Sequence, residues 1–234
     1  MDALIEFARG PLFRFAVAVA LLGLSRTALL TVWELRRALR RAGDQRFSLL
    51  PVIGRSLASL SPLRFLAGNR AFYTAASVVF HAGVILVPVF FSGHVRLWRR
   101  GLGVGWLTIP DVAADGLAIV TVLAAAFLLG GRARHPAARA VSTWQDWLLP
   151  PAIALAFITG FLVAHPAQNP LDVRLVTLVH VAIADALLLL TPFTKLAHCA
   201  LMPLSRVVNE LAWRFVPGAG HEVTKTLGKE GQPI

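Results

Sequence analysis

Four histidines sit in pairs on two strongly apolar stretches of the chain, His81 with His94 and His180 with His198. An imidazole in hydrocarbon is costly and seldom idle, so two pairs on separate spans point to two bis-histidine metal centres stacked across a bilayer. Such centres would carry electrons across a membrane. Zinc is the competing metal, but no carboxylate or cysteine accompanies these histidines at ligand spacing. The single cysteine, Cys199, excludes a disulfide framework and any C-x-x-C-H haem attachment, so a haem here is held by coordination and packing alone.

The elements that must position these residues are transmembrane helices. Hydrophobic residues make up 56% of the chain and charged residues 15%, with a mean hydropathy of +0.67, whereas a soluble domain carries about a quarter charged residues. Five segments are long enough to cross a hydrocarbon core of about 30 Å: Phe13 to Trp33, Ala71 to Phe91, Val112 to Gly130, Leu148 to Ala164 and Val173 to Ala197. The expected fold is an all-α, five-helix transmembrane bundle over residues 1–216, followed by a cytoplasmic tail, 217–234. The first segment lacks a signal peptide's basic start and cleavage site and is expected to be retained. A basic loop, residues 35–70, carries eight arginines with Pro51 and Pro62, and it has room for a short interfacial helix.

The formal charge of +11 does not indicate nucleic acid, because the basic residues cluster between the spans. Counting Lys and Arg on alternate sides gives sixteen on one face and six on the other (Arg9, Arg14, Arg96, Arg99, Arg100 and Arg174). The positive-inside rule then places the N-terminus outside and the C-terminus in the cytoplasm of a cytoplasmic (inner) membrane protein.

This topology assigns depths. The second span runs outward, which puts His81 in the inner half and His94 at the outer edge; the fifth runs back, which puts His180 outside and His198 inside. Depth pairs His94 with His180 and His81 with His198, as if the second and fifth spans clamped two haems. Eighteen residues are five helical turns, so His180 and His198 would share one face about 27 Å apart. The thirteen residues from His81 to His94 rise about 20 Å but turn the second ring about 140° away. That pair requires a distortion, expected at Pro88, with Gly93 able to end the helix before His94.

Phe80-His81-Ala82-Gly83, Gly93-His94, and the run from His180 through Thr191-Pro192-Phe193-Thr194-Lys195-Leu196-Ala197-His198 to Pro203 resemble the dihaem cytochrome b gamma subunit of respiratory nitrate reductase. They resemble equally its relatives in heterodisulfide-reductase-like and sulfur-metabolising membrane complexes. The resemblance implies two b-type haems, with His81 and His198 on the inner iron and His94 and His180 on the outer. It also implies a quinol site near the outer haem, whose oxidation sends electrons inward and releases protons outside. The chain has no cysteine set for iron–sulfur clusters, so electrons would cross to a cytoplasmic iron–sulfur or oxidoreductase subunit, docked on the basic loop and the tail. The chain would then be the electron-transfer subunit of a quinol-linked oxidoreductase of a respiratory chain.

Further residues take roles from this frame. Asp111 and Asp115 open the third span on the outer side, and Asp185 lies about one and a half turns beyond His180. These are the expected proton acceptors or quinol hydrogen-bond partners, although Asp111 also reads as a charge favoured by its helix dipole. Arg96, Arg99, Arg100 and Arg174 outside, with Arg64, Arg70 and Lys195 inside, are candidates for the haem propionates and equally for headgroup anchors. Gly83, Ala82, Ala182 and Ala184 lie near the proposed ligands and would allow close packing. His165, beside Pro166, is expected in a solvated loop and is the substitute if His94 is not a ligand. His135 and His221 read as surface residues. The alternative function is a haem-free membrane anchor for a soluble oxidoreductase; a proton-relay transporter would call for inverted repeats, and none is visible.

Overall fold

The computed structural model describes residues 1–42, 49–61, 71–228 and 230. Every regular element among them is helical. Five helices are long and apolar enough to cross a membrane: α1 (Asp2–Ala42, with a π-helical turn at Ala8–Leu12), α3 (Ala71–Phe90), α5 (Asp111–Arg134), α7 (Trp144–Ala164) and a fifth, Val173–Phe193, whose α-helical part is α8 (Val173–Leu190). Shorter helices are α2 (Leu49–Ala58), α4 (Ser92–Leu102), α6 (Pro136–Ala140), α9 (His198–Leu211) and α10 (Ala219–Thr226). The protein is a multi-pass membrane protein.

The chain divides into two compact units, residues 1–20 with 63–190, and residues 21–62 with 191–234. In the first unit, α3 packs on α5, α5 on α7 and α7 on α8, while the N-terminal turns of α1 pack on α8. Among the described residues, α3 and α8 are not one of the principal packing pairs. The inner face of α5 is built from small residues, Ala114, Ala118, Thr121 and Ala125, which recur at helical spacing and are buried. Its large residues, Ile119, Leu123 and Phe127, point outward, as lipid-facing side chains must where hydrocarbon replaces water. A Cβ built at Gly83 of α3 would overlap the Thr121 hydroxyl of α5, so this contact depends on glycine. Gly83→Leu is expected to destabilise the detergent-solubilised chain by about 2 kcal/mol, the usual cost of overpacking, read as a lowered unfolding midpoint.

In the second unit, α2 packs on α9, with Val52 and Ser56 buried and Arg55 Nε donating to Glu210 Oε1 at 2.6 Å. Leu50, Ile53 and Leu57 stay exposed, giving α2 the apolar outer side of an interfacial helix. Part of the expected basic loop is instead helix, because α1 continues to Ala42. Residues 219–226, in the expected tail, form α10. Arg64 and Arg70 lie outside the described residues.

Two helix ends differ from expectation, and both move histidines. The second span does not distort at Pro88: it runs to Phe90 and stops at Phe91, which is extended at φ −66°, ψ 134°. Pro88 removes only its own N–H donor, and a helix in a bundle tolerates that loss. The carbonyls freed at the end are taken up by the segment that leads into the third span, Val89 O by Trp106 Nε1–H at 2.8 Å and Phe90 O by Ile109 N–H at 3.0 Å. Gly93 does not end the second span; it lies in the first turn of α4, and a Cβ there would stand 2.7 Å from the Phe91 ring. The fifth span is likewise not one helix as far as Ala197. α8 ends at Leu190, short 3₁₀ turns at Thr191–Phe193 and Lys195–Ala197 flank an extended Thr194, and His198 opens α9. Pro192, which donates no backbone hydrogen bond, sits at this break. The five-turn phase between His180 and His198 therefore does not hold.

Candidate functional site: a facing histidine pair

The break at Phe91 places His94 in the first turn of a new helix, and the phase of α3 no longer governs it. There its ring lies 6.1 Å, centroid to centroid, from that of His180 on α8, with the planes 13° from parallel. His94 Nδ1–H donates to the Val87 carbonyl at 3.1 Å, which ties the new helix to the end of α3. Phe91 packs edge-on to the same ring, with centroids 5.3 Å apart. Burial pushes the His94 pKa down, against the bond to Val87, so the imidazole is neutral at neutral pH.

His180 is cradled by one turn of α7. Its Nδ1–H donates to the Ala156 carbonyl at 3.0 Å and lies 3.3 Å from Thr159 Oγ1, whose own proton goes to the Leu155 carbonyl at 2.8 Å. A Cβ at Gly160 would stand 2.8 Å from His180 Cε1 and 3.3 Å from Nδ1, so the ring occupies space that only glycine leaves open. In both histidines the carbonyl fixes the proton on Nδ1 and leaves the electron pair on Nε2. Two imidazoles bound through nitrogen to opposite sides of one metal ion, at about 2 Å per bond, have centroids about 6 Å apart. The pair stands at about that separation, with the two rings stacked.

His81, on α3, donates from Nδ1 to the Ser77 carbonyl at 2.7 Å, with Phe80 edge-on at 5.5 Å. His198 belongs to the second unit and is exposed; its Nδ1–H donates to the Lys195 carbonyl, and Cys199 Sγ lies 4.0 Å from Nε2. The Cys199 sulfur, reinforced by the Lys195 carbonyl and opposed by burial, pushes His198 up to about 9, so metal binding there would release a proton. Asp185 is 2% exposed, on one face of α8 with Thr177 and Val181, and its Oδ2 meets no hydrogen-bond donor among the described residues. Asp111 accepts from Ser92 Oγ at 3.0 Å and so anchors α4 to the start of the third span. Asp115 pairs with His165, Oδ2 to Nε2, at 3.2 Å. Arg174 pairs with Asp2 at 3.4 Å, and Arg96 is exposed on α4. His135 and His221 are exposed.

Sequence reasoning missed the cradle of Ala156, Thr159 and Gly160. Their spacing of three and four puts small residues on one helix face, the pattern of close packing between membrane helices. It missed Arg9 as well, which lies on the π-helical turn that packs on α8. Extra-residue turns of this kind recur at functional sites.

Fold and site together define an all-helical, multi-pass membrane protein with a half-buried, facing histidine pair. The chain is 31% identical to a protein of Nitratidesulfovibrio vulgaris, strain Hildenborough, over 138 residues, which are 59% of this chain and 60% of that protein. It thus spans less than two thirds of that relative's length. No protein-family profile matches the chain, and no solved structure matches it.

Proposed function

We propose that the chain is a dihaem cytochrome b subunit of the cytoplasmic membrane, carrying electrons between the quinone pool and a cytoplasmic iron–sulfur or oxidoreductase partner. The observation that carries the reading is the facing of His94 and His180 at 6.1 Å, each with its Nδ1 proton held by a backbone carbonyl. Such outer bonds orient a ligating imidazole and raise its basicity. Haem, when bound, supplies reversible one-electron transfer. His94 and His180 would hold its iron, and Gly160 leaves room for the His180 ring. Arg9 and Arg96 supply positive charge for propionates on the side where these histidines lie, while Arg174 is engaged with Asp2. The inner haem is assigned to His81 and His198 on their depth in the sequence alone. Asp185, buried in the same helix as His180, is the group placed to take up or pass a proton.

The orientation, N-terminus outside, rests on the excess of Lys and Arg on one set of loops. A pyridine haemochrome assay on the purified chain tests the reading. About two b-type haems per chain are expected from the two pairs. No haem at all would sink it in favour of a haem-free anchor.

A further inference from the structure

The turn that joins α5 to α7 takes no part in holding the histidine pair. From Arg132 to Trp147 the chain carries three arginines against one acid, Asp146, and that acid is engaged. Its Oδ2 accepts from the Thr143 backbone N–H at 2.8 Å, completing the cap of α7, while Oδ1 lies 3.8 Å from Arg132 Nη1. Arg132 Nη1–H also donates to Ser142 Oγ at 2.8 Å, and Ser142 donates in turn to the Ala138 carbonyl at 2.7 Å. The turn is thereby tied to the end of α5 and to the start of α7. Arg139, on α6, donates from Nη1 to the Ala133 carbonyl at 2.8 Å, which brings its guanidinium to the residue before Arg134. Arg134 and Arg139 are both exposed, so this bond leaves the rest of the Arg139 fork open to a ligand.

On α7 the exposed residues Trp144, Leu148, Pro151, Leu155 and Ile158 follow one another at spacings of four and three, which makes one continuous lipid-facing stripe. Trp144, 64% exposed, stands at the end of that stripe, directly after the cap, where an indole belongs between hydrocarbon and water. The basic turn therefore lies at headgroup level. We propose that Arg134, Arg139 and Trp144 bind one anionic phospholipid: the two guanidiniums hold its phosphate, Trp144 lies against the glycerol region, and the acyl chains run along the stripe of α7. Guanidinium forks match phosphate oxygens, and arginines at a membrane surface favour net negative headgroups. A zwitterionic headgroup brings a quaternary amine toward the same two arginines, and like charges repel. An acidic protein segment would satisfy the charge but not the position, because the apolar stripe begins at Trp144 itself and α6 offers only 5 residues as a face.

The site goes beyond the electron-transfer reading and needs no haem. The full chain is placed in phosphatidylcholine nanodiscs with rising fractions of dibrominated phosphatidylglycerol or dibrominated phosphatidylcholine, whose bromines quench tryptophan fluorescence on contact. The quenching lost in Trp144→Phe reports lipid at Trp144 alone, apart from the arginines of α4. Half of that quenching should need about 25-fold less phosphatidylglycerol than phosphatidylcholine, about fivefold for each arginine. Arg134→Gln and Arg139→Gln, each measured against its own Trp144→Phe partner, should lower the preference about fivefold and leave quenching by phosphatidylcholine unchanged. Circular dichroism reports folding of each variant. Raising the salt concentration around the wild-type chain, which needs no variant of the arginines, should shrink the preference as well. Equal half-quenching by the two lipids in the wild-type chain overturns the site, and so does an unchanged preference in both folded arginine variants. Relief of the phosphatidylglycerol quenching by added hexaglutamate would assign the turn to an acidic protein segment and overturn the lipid reading.

Discussion

His180→Ala is expected to lower the haem content of the purified chain from about two per chain to about one, with the helical content unchanged. The substitution would remove one of the two histidines proposed to hold the haem and leave His94 facing a void, and a pocket shaped for two histidines would hold the group far more weakly with one. His94→Ala should give the same loss, and the double variant should lose no more than either single one. Residues that act as one unit are non-additive in this way. Two independent structural histidines would instead show summed destabilisation and no step in haem content. The bundle itself should survive, because the ring's bonds go to the Ala156 carbonyl and Thr159, both of which keep partners in α7. A chain that keeps about two haems after His180→Ala would refute the pairing of His94 with His180.

The five spans were legible because hydrocarbon demands about twenty apolar residues in a row, and nothing in the tertiary fold can relax that demand. What escaped reading was how the chain leaves the second and fifth spans. The phase argument for His81 and His94 presumed one continuous helix and so blamed Pro88. The chain turns instead at Phe91, where the freed carbonyls meet Trp106 and Ile109, partners fifteen or more residues away in sequence. The neat five-turn spacing of His180 and His198 was misleading for the same reason, since a break at Thr191–Thr194 is invisible to residue counting. The Asp115–His165 pair spans fifty residues and two helices, so no local pattern announces it. His165 read as a loop residue because Pro166 follows it, yet its ring reaches back across to the third span. The cradle of His180 was hidden differently: Ala156, Thr159 and Gly160 look like ordinary small residues until the packing of α7 on α8 is known.

Gly160→Leu should reproduce the loss of the outer haem without touching either ligand. A Cβ at this position would lie 2.8 Å from His180 Cε1, inside van der Waals contact, and a leucine adds three further carbons in the same direction. The ring has little freedom to yield, because its Nδ1 proton is committed to the Ala156 carbonyl one turn back on the same helix. Glycine is the poorest helix former after proline, so leucine favours α7 itself by up to about 1 kcal/mol. Any loss must therefore come from the ring and not from an unfolded helix. The expected result is about one haem per chain, as for His180→Ala, with the remaining haem spectrally unchanged. Gly160→Ala, which adds the Cβ alone, should fall between, retaining haem with a shifted midpoint potential as the ring tilts. A full complement of two unshifted haems in Gly160→Leu would mean that the metal draws His180 away from α7. In that case the pair as it stands would be a resting arrangement of the two rings, and the room at Gly160 would serve helix packing instead of ligand placement.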